Sequence, residues 1–337
     1  MQQFKHVFLS TISLGLLIIS CNKSTDSDSS EESGNWVKRS AFEGYARTEA
    51  VSLVIGDTAY IGTGYDGTNR LNDFWKYDPT TNQWTQRASL PGVARSSAVG
   101  FGTSTKGYIG TGYDGVNKLK DFWEYNPSTN QWTQKANFAG SARYEAVGFA
   151  INNLGYISTG YDGNNLKDLW QYNPSTDTWV QKSSISGDKR SSAVAFVYNN
   201  KAYLTTGINN GTYLNDFWSY DPTTDSWTEK RHISNYSSSD YDDDYSDIVR
   251  TNAVAFVVGD HAYLTLGDNG SYIKKTWQYN FDADTWERKT PYERSERTGA
   301  VAFAVKDRGF ITTGRNSTYY FDNMDELKPN ETYEDED

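Results

Sequence analysis

The sequence predicts an all-β protein of six four-stranded units closed into a ring, and three observations carry that prediction. The stretch Asp73-Phe74-Trp75-Lys76-Tyr77-Asp78-Pro79-Thr80-Thr81-Asn82-Gln83-Trp84 returns at 121–132, 168–179 and 216–227, and in altered form at 276–286. Its first Trp therefore recurs at 75, 123, 170, 218 and 277. A period in the forties marks a supersecondary unit that buries its apolar face only against the next copy. Ahead of each copy, and once more near the end, stands Arg-x-x-Ala-Val, at Arg47, Arg95, Arg143, Arg190, Arg250 and Arg297. Finally, the two ends complement each other. The closing Trp of a copy lies 11 residues before the next Arg in every case but one, and Trp36 lies the same distance before Arg47. Residues 35–38 thus read as a fourth strand lacking its first three. Residues 297–322 offer three strands lacking a fourth, and the N-terminal strand sews the last unit shut, leaving no open sheet edge.

Within one unit the elements follow in order. After the Arg comes an apolar run peppered with Ala and Gly, a first strand over about 49–55, suited to a crowded inner edge. A short turn leads to a second strand over 59–63, ending in Thr-Gly. The Phe-Trp-x-Tyr run, aromatic strand material, predicts a third strand over 71–77. Asp-Pro-Thr-Thr-Asn is turn chemistry, with Pro presetting φ and Asx side chains bonding onwards. A fourth strand over 83–88 closes the unit. In the last unit the strands are expected at 300–305, 309–313 and 318–321, followed by an acidic disordered tail over 323–337.

Composition agrees. Aromatic residues make up 15% of the chain, with 28 Gly against 7 Pro, as many short strands and tight turns require. The repeat places all 11 Trp. The net charge of −11 resides in three segments, 22–34, 232–249 and 323–337, which hold 16 of the 43 acidic residues. A nearly neutral body gives no basic face for nucleic acid. The single cysteine, Cys21, rules out a disulfide framework. It follows a basic Lys5 and an apolar run over 7–20 that is too short to span a bilayer and is shaped like a signal-peptide core. Leu17-Ile18-Ile19-Ser20-Cys21 resembles the bacterial lipobox, which implies a signal peptide over 1–20 and lipid on Cys21. Residues 21–34 would be a flexible acidic tether, and the protein an outer-membrane lipoprotein, periplasmic or surface-exposed. The early acids of the tether also resemble the export signal of surface lipoproteins.

Arg-x-x-Ala-Val, a strand ending in Gly and Asp-Phe-Trp-x-Tyr-Asp-Pro-x-Thr-x-x-Trp together resemble the kelch repeat of β-propellers, over residues 35–322. The family's paired Gly after the second strand is here Gly-Thr-Gly, Ser-Thr-Gly, Thr-Thr-Gly or Thr-Leu-Gly. The resemblance implies a six-bladed propeller. Galactose-oxidase-like members use copper with His and Tyr ligands and a Tyr–Cys cross-link. Here Cys21, His6, His232 and His261 supply no such set, so no cofactor is expected beyond a candidate Ca²⁺ site. That candidate is Asp240, Asp242 and Asp244 in the 231–249 insertion before blade five, whose alternating acids are oxygen ligands. A disordered acidic flap over the mouth is the alternative.

The resemblance also implies that the loop before the first strand and the loop between the second and third open on one face. Arg47, Arg95, Arg143, Arg190, Arg250 and Arg297 would then ring a channel mouth and suit a carboxylate or sulfate. Alternatively they are scaffold, each tied to a neighbouring blade's Asp73, Asp121, Asp168 or Asp216. Differences between blades point more sharply to a ligand, which is rarely six-fold symmetric. Blades one to three carry Tyr65-Asp66, Tyr113-Asp114 and Tyr161-Asp162, where the others carry Ile208-Asn209, Asp268-Asn269 and Arg315-Asn316. Glu49 and Glu145 follow their Arg by two in blades one and three, and Tyr144 adds an aromatic face. These types suit sugar recognition, although Asp-Gly is also ordinary turn chemistry. The expectation is a monomeric envelope binding module for an extracellular glycan, an anionic sugar or an envelope protein. The alternatives are a sugar mutarotase similar to sialic-acid epimerases, working through Glu49, Glu145 and the arginines, and a structural scaffold.

Overall fold

The structure, a computed structural model, describes residues 33–234, 247–317 and 319–334. These form six four-stranded antiparallel sheets, the blades. Blade one runs Val51–Ile55, Thr58–Gly62, Phe74–Asp78 and Gln83–Arg87, each strand pairing with the next. Blades two to five repeat that order, with first strands at Val99–Gly102, Val147–Ile151, Val194–Tyr198 and Val254–Val258. Blade six takes Thr298–Val305, Arg308–Arg315 and Met324–Lys328 from the C-terminal end, and Asn35–Arg39 closes it, Trp36 opposite Leu327. The first strands touch in the order one to six and back to one, so the blades form a closed ring.

The repeat explains the core. Six apolar clusters are buried, one at each blade–blade interface. At the seam between blades one and two, Tyr60 stacks on Phe74 at 5.3 Å, and Tyr125 meets Phe74 edge-on at 4.9 Å. Each large ring buried this way contributes about 1.5–3 kcal/mol. Closing Trp residues tie neighbours together: Trp84, Trp132 and Trp227 donate through Nε1 to Ser40, Ala88 and Ser183, backbone carbonyls one blade back. Trp36, on the N-terminal closing strand, does the same with Thr290.

Two expectations about the ends need correction. The third strand of blade six lies at Met324–Lys328, not 318–321, so the body extends past 322 and the 323–337 segment is not a disordered tail over its described length. The residues that reveal this, Asp325 and Glu326, are fully buried. Glu326 is met by Arg39 at 2.7 Å, Arg308 at 2.5 Å and Lys328 at 2.7 Å. Burial opposes its ionisation, but those three cations win and hold its carboxyl down at about 2. At the other end, Ser33 and Gly34 belong to the body rather than the tether. Lys289 donates to Ser33 Oγ at 2.8 Å, and Gly34 N–H to Glu331 O at 2.9 Å. The expected signal peptide over 1–20, Cys21 and the expected tether up to residue 32 lie outside the described residues. So do 235–246, with Asp240, Asp242 and Asp244.

Candidate functional site

The six arginines are the first residues to place. All are 0–1% exposed, so none presents a guanidinium to the mouth, and the anion-binding ring expected from their spacing does not exist. Nor is the partner Asp on a neighbouring blade. Arg47 grips Asp73 of its own blade with both terminal nitrogens, at 2.5 and 2.7 Å, and Arg95 and Arg143 grip Asp121 and Asp168 likewise. Arg190 reaches Asp216 at 2.5 Å. The same carboxylates accept Nε1–H of Trp75, Trp123, Trp170 and Trp218, which accounts for the first Trp of each copy. Each arginine also donates to the carbonyl of Thr63, Thr111, Thr159, Thr206, Leu266 or Thr313, at or just past the end of its own second strand.

The neighbouring blade is joined through the arginine's backbone instead. Gly64, Gly112, Gly160, Gly207, Gly267 and Gly314 each donate N–H to the carbonyl of the next blade's Arg, all the way round the ring. Gly64 has φ +102°, and a Cβ there would lie 2.8 Å from Thr48 O and 3.1 Å from Ala50 Cα, so only glycine serves. The second Gly of the Thr-Gly signature is therefore an inter-blade staple.

Blades five and six lack the Asp. In blade five Lys275 stands in its place, and Asp247, at the end of the insertion, supplies the carboxylate by accepting from Trp277 Nε1 at 2.9 Å and pairing with Lys275. Among the described residues Arg250 itself bonds only backbone carbonyls, and burial pushes its pKa down, with Asp247 partly offsetting the effect. In blade six Asn323 accepts from Arg297 at 3.0 Å, and the guanidinium lies 3.9 Å from the Phe321 ring centroid.

The residue two places after each Arg lines the mouth. Glu49, Ser97, Glu145, Ser192, Asn252 and Gly299 all have positive φ, between 49° and 62°. They form a chain of backbone hydrogen bonds: Glu49 donates to Gly299 O, Ser97 to Glu49 O, Glu145 to Ser97 O, Ser192 to Glu145 O and Asn252 to Ser192 O, at 2.8–3.1 Å. Five non-glycine residues in the left-handed region are costly, and this inter-blade chain holds them there. Beneath them Ala98, Ala146, Ala193, Ala253 and Ala300 line the same cavity, of about 120 Å³. Side chains at the rim alternate over four blades: Ser97 donates to Glu49 Oε2 at 2.7 Å, and Ser192 to Glu145 Oε2 at 2.8 Å. Burial raises the pKa of Glu145; its serine hydrogen bonds offset part of that, and the charge of Glu49 adds to the rise.

Around this floor stands an aromatic wall. Thr48, Ser96 and Tyr144 form backbone bridges to Tyr65, Tyr113 and Tyr161, so both loops do open on one face. Tyr144 lies between Tyr113, at 5.4 Å, and Tyr161, at 5.6 Å, and Tyr65 meets Tyr320 at 6.1 Å. The Arg70 guanidinium fills the gap, 5.3 Å from the Tyr65 ring centroid and 4.7 Å from that of Tyr113. The wall spans blades six, one, two and three. By contrast, Asp66 and Asp114 each cap their own loop with two backbone N–H bonds, and Asp162 accepts one from Asn164. These three are turn builders. The sequence reading missed Ser97, Ser192, Asn252, Arg70 and Tyr320. The first three occupy the register of Glu49 and Glu145, a signal that was available.

Residues 137–314 match the family model of the KLHDC2/KLHL20/DRC7 Kelch-repeats domain, and residues 46–91 and 112–139 match the Kelch motif. A solved structure titled "Structure of YjhT" superposes with a TM-score of 0.69 at 18% identity, over 85% of this chain and 95% of that one. That likeness is one of fold. No curated protein matches the chain in sequence at a significant level.

Proposed function

Because the chain belongs to the kelch-repeat family, whose propeller is a binding or scaffold module, we propose that it binds a sugar of an extracellular glycan at the mouth around Glu49 and Glu145. The carrying observation is the break in symmetry there. A position whose backbone takes a left-handed φ in all six blades bears Glu in two, Ser in two, Asn in one and no side chain in the last. A wall of tyrosines on one side and hydrogen-bonding acceptors on the floor are what a sugar's apolar face and hydroxyls require. The anionic sugars suggested by the arginine spacing lose their support, because those guanidinium groups are buried. The module would work at the bacterial envelope, held by lipid on Cys21. Calorimetric titration of the full chain with neutral and amino-sugar oligosaccharides tests the reading. Binding weakened by Glu49→Gln and Glu145→Gln is expected, and binding indifferent to both variants would refute the site.

A second reading, sugar anomer exchange, is favoured by one observation: Glu49 and Glu145 line one cavity, and burial, with the charge of Glu49 adding to it, raises the pKa of Glu145. Anomer-exchange NMR separates the two, since a binder gives affinity without faster exchange.

A further inference from the structure

We infer that the ligand taken at this mouth is cationic, a sugar carrying a protonated amine such as an unacetylated glucosamine residue; this rests on the mouth being a sugar site. The two glutamates share one cavity, and among the described residues neither has an ion-pair partner. All other sides of the cavity are formed by Ser, Asn, Ala and Gly, with no Lys or Arg. Two carboxylates so enclosed repel each other, and a cation between them removes that cost. Both serine donors are spent, because the Ser97 and Ser192 hydroxyls point their hydrogens at the glutamates. Beside the Asn252 amide, what remains on the floor is acceptor capacity, which an ammonium group with three N–H donors fills.

The wall argues the same way. Tyrosine faces attract cations through the ring quadrupole, and this wall already holds one, the Arg70 guanidinium between Tyr65 and Tyr113. Tyr144 directly precedes Glu145, and Thr48, bridged to Tyr65, directly precedes Glu49, so the rings stand next to the carboxylates. A ligand carboxylate would meet two like charges. An organic ammonium suits both this wall and this floor.

The test is calorimetry of the full chain with glucosamine trisaccharide and with its fully acetylated counterpart, Ca²⁺ alone serving as a third probe. The expected result is a preference of at least about tenfold for the amine, reflecting one charge-assisted hydrogen bond or more. Glu49→Gln and Glu145→Gln should abolish the preference, bringing the amine down to the affinity of the acetylated sugar, which the variants weaken less. Equal affinity for both sugars, weakened by the Gln variants, would overturn the cationic ligand but keep the mouth as a sugar site. A preference that survives both variants would overturn the placement, and Ca²⁺ displacing the amine at equal concentration would make the cation a metal. Thermal melts of each variant separate lost binding from lost folding, since neither substitution removes apolar contact.

Discussion

Asp121→Asn probes the device that the arginine spacing conceals. Arg95 is fully buried, and its Nη1 and Nη2 are held by Asp121 at 2.7 and 2.6 Å, with Trp123 Nε1 on the same carboxylate. Breaking a buried pair by removing one charge costs about 3–5 kcal/mol. The Asp121 side chain is 24% exposed, so solvent screens it in part and a figure near the lower bound, about 3 kcal/mol, is expected. For a body of roughly 300 residues, unfolding entropy of about 2 cal/mol/K per residue turns that into a fall in Tm of about 5 °C. The pH dependence carries a second signature. Burial opposes ionisation of Asp121, but the Arg95 hydrogen bond and charge outweigh it and lower its pKa. A depressed acid pKa contributes stability above the unfolded value, and that stability is lost as pH falls through the folded value. The wild type should therefore lose its advantage over Asp121→Asn on acidification below the ordinary Asp range. Tryptophan-fluorescence melts across pH report both signatures. A change in Tm below 1 °C at pH 7, or a gap between the proteins that does not narrow in acid, would refute the clamp.

Four more predictions follow from the same geometry. A chain ending at Asp322 lacks Met324–Lys328 and leaves Asn35–Arg39 without a partner, so it should fail to give a cooperative melt where the full chain gives one. Glu326→Gln should cost about 3 kcal/mol at pH 7, the equivalent of moving a fully buried carboxyl from 4.5 to about 2; urea titrations should show that cost present above the ordinary Glu range and lost as pH falls towards 2. Glu145→Gln should act with the opposite sign. Its raised folded pKa makes ionisation unfavourable to the fold, so in pH-dependent melts the variant should match the wild type in acid and exceed it once pH passes the folded value. Asp247→Ala removes the carboxylate shared by Trp277 and Lys275, and calorimetric melts should register a loss of about 1–3 kcal/mol.

The ring, the number of blades and the N-terminal closing strand were legible because the repeat encodes them residue by residue. The last blade was misplaced for a physical reason. Its third strand reads Met324-Asp325-Glu326-Leu327-Lys328, and an acidic pair is acceptable inside the sheet because three half-buried cations meet Glu326 while Arg294, Tyr292 and Asn323 meet Asp325. Periodicity of apolar residues cannot show such long-range neutralisation. The arginines misled in a related way. Their spacing says that they are equivalent, and equivalence is silent on whether a guanidinium faces a channel or a carboxylate of its own blade. Glu49 and Glu145 were found because they broke the pattern. Arg70 and Tyr320 escaped notice because each occurs once, in loops that come together only through the ring.

Side chains repeated in every blade are consumed by cohesion here: Arg by the clamp, Gly by the staple, Trp by the seam. A ligand site must then be made from positions at which the scaffold needs the backbone alone. The residue two after each Arg meets that condition, since its N–H or its carbonyl, and in four blades both, links the blades while its side chain faces the mouth. Substitution there changes recognition with little cost to the ring, provided that the new residue tolerates a left-handed φ. Glu, Ser, Asn and Gly at these six places are consistent with that freedom. Asn323 shows the opposite case. An Asp there would restore the two-pronged grip on Arg297, but it would also set a second carboxylate beside Asp325, which Asn323 Nδ2 now meets as a donor at 2.9 Å. In blade six the clamp is thus traded for the closing strand's own network. The same symmetry that makes the ring fold confines variation to its mouth and its seam.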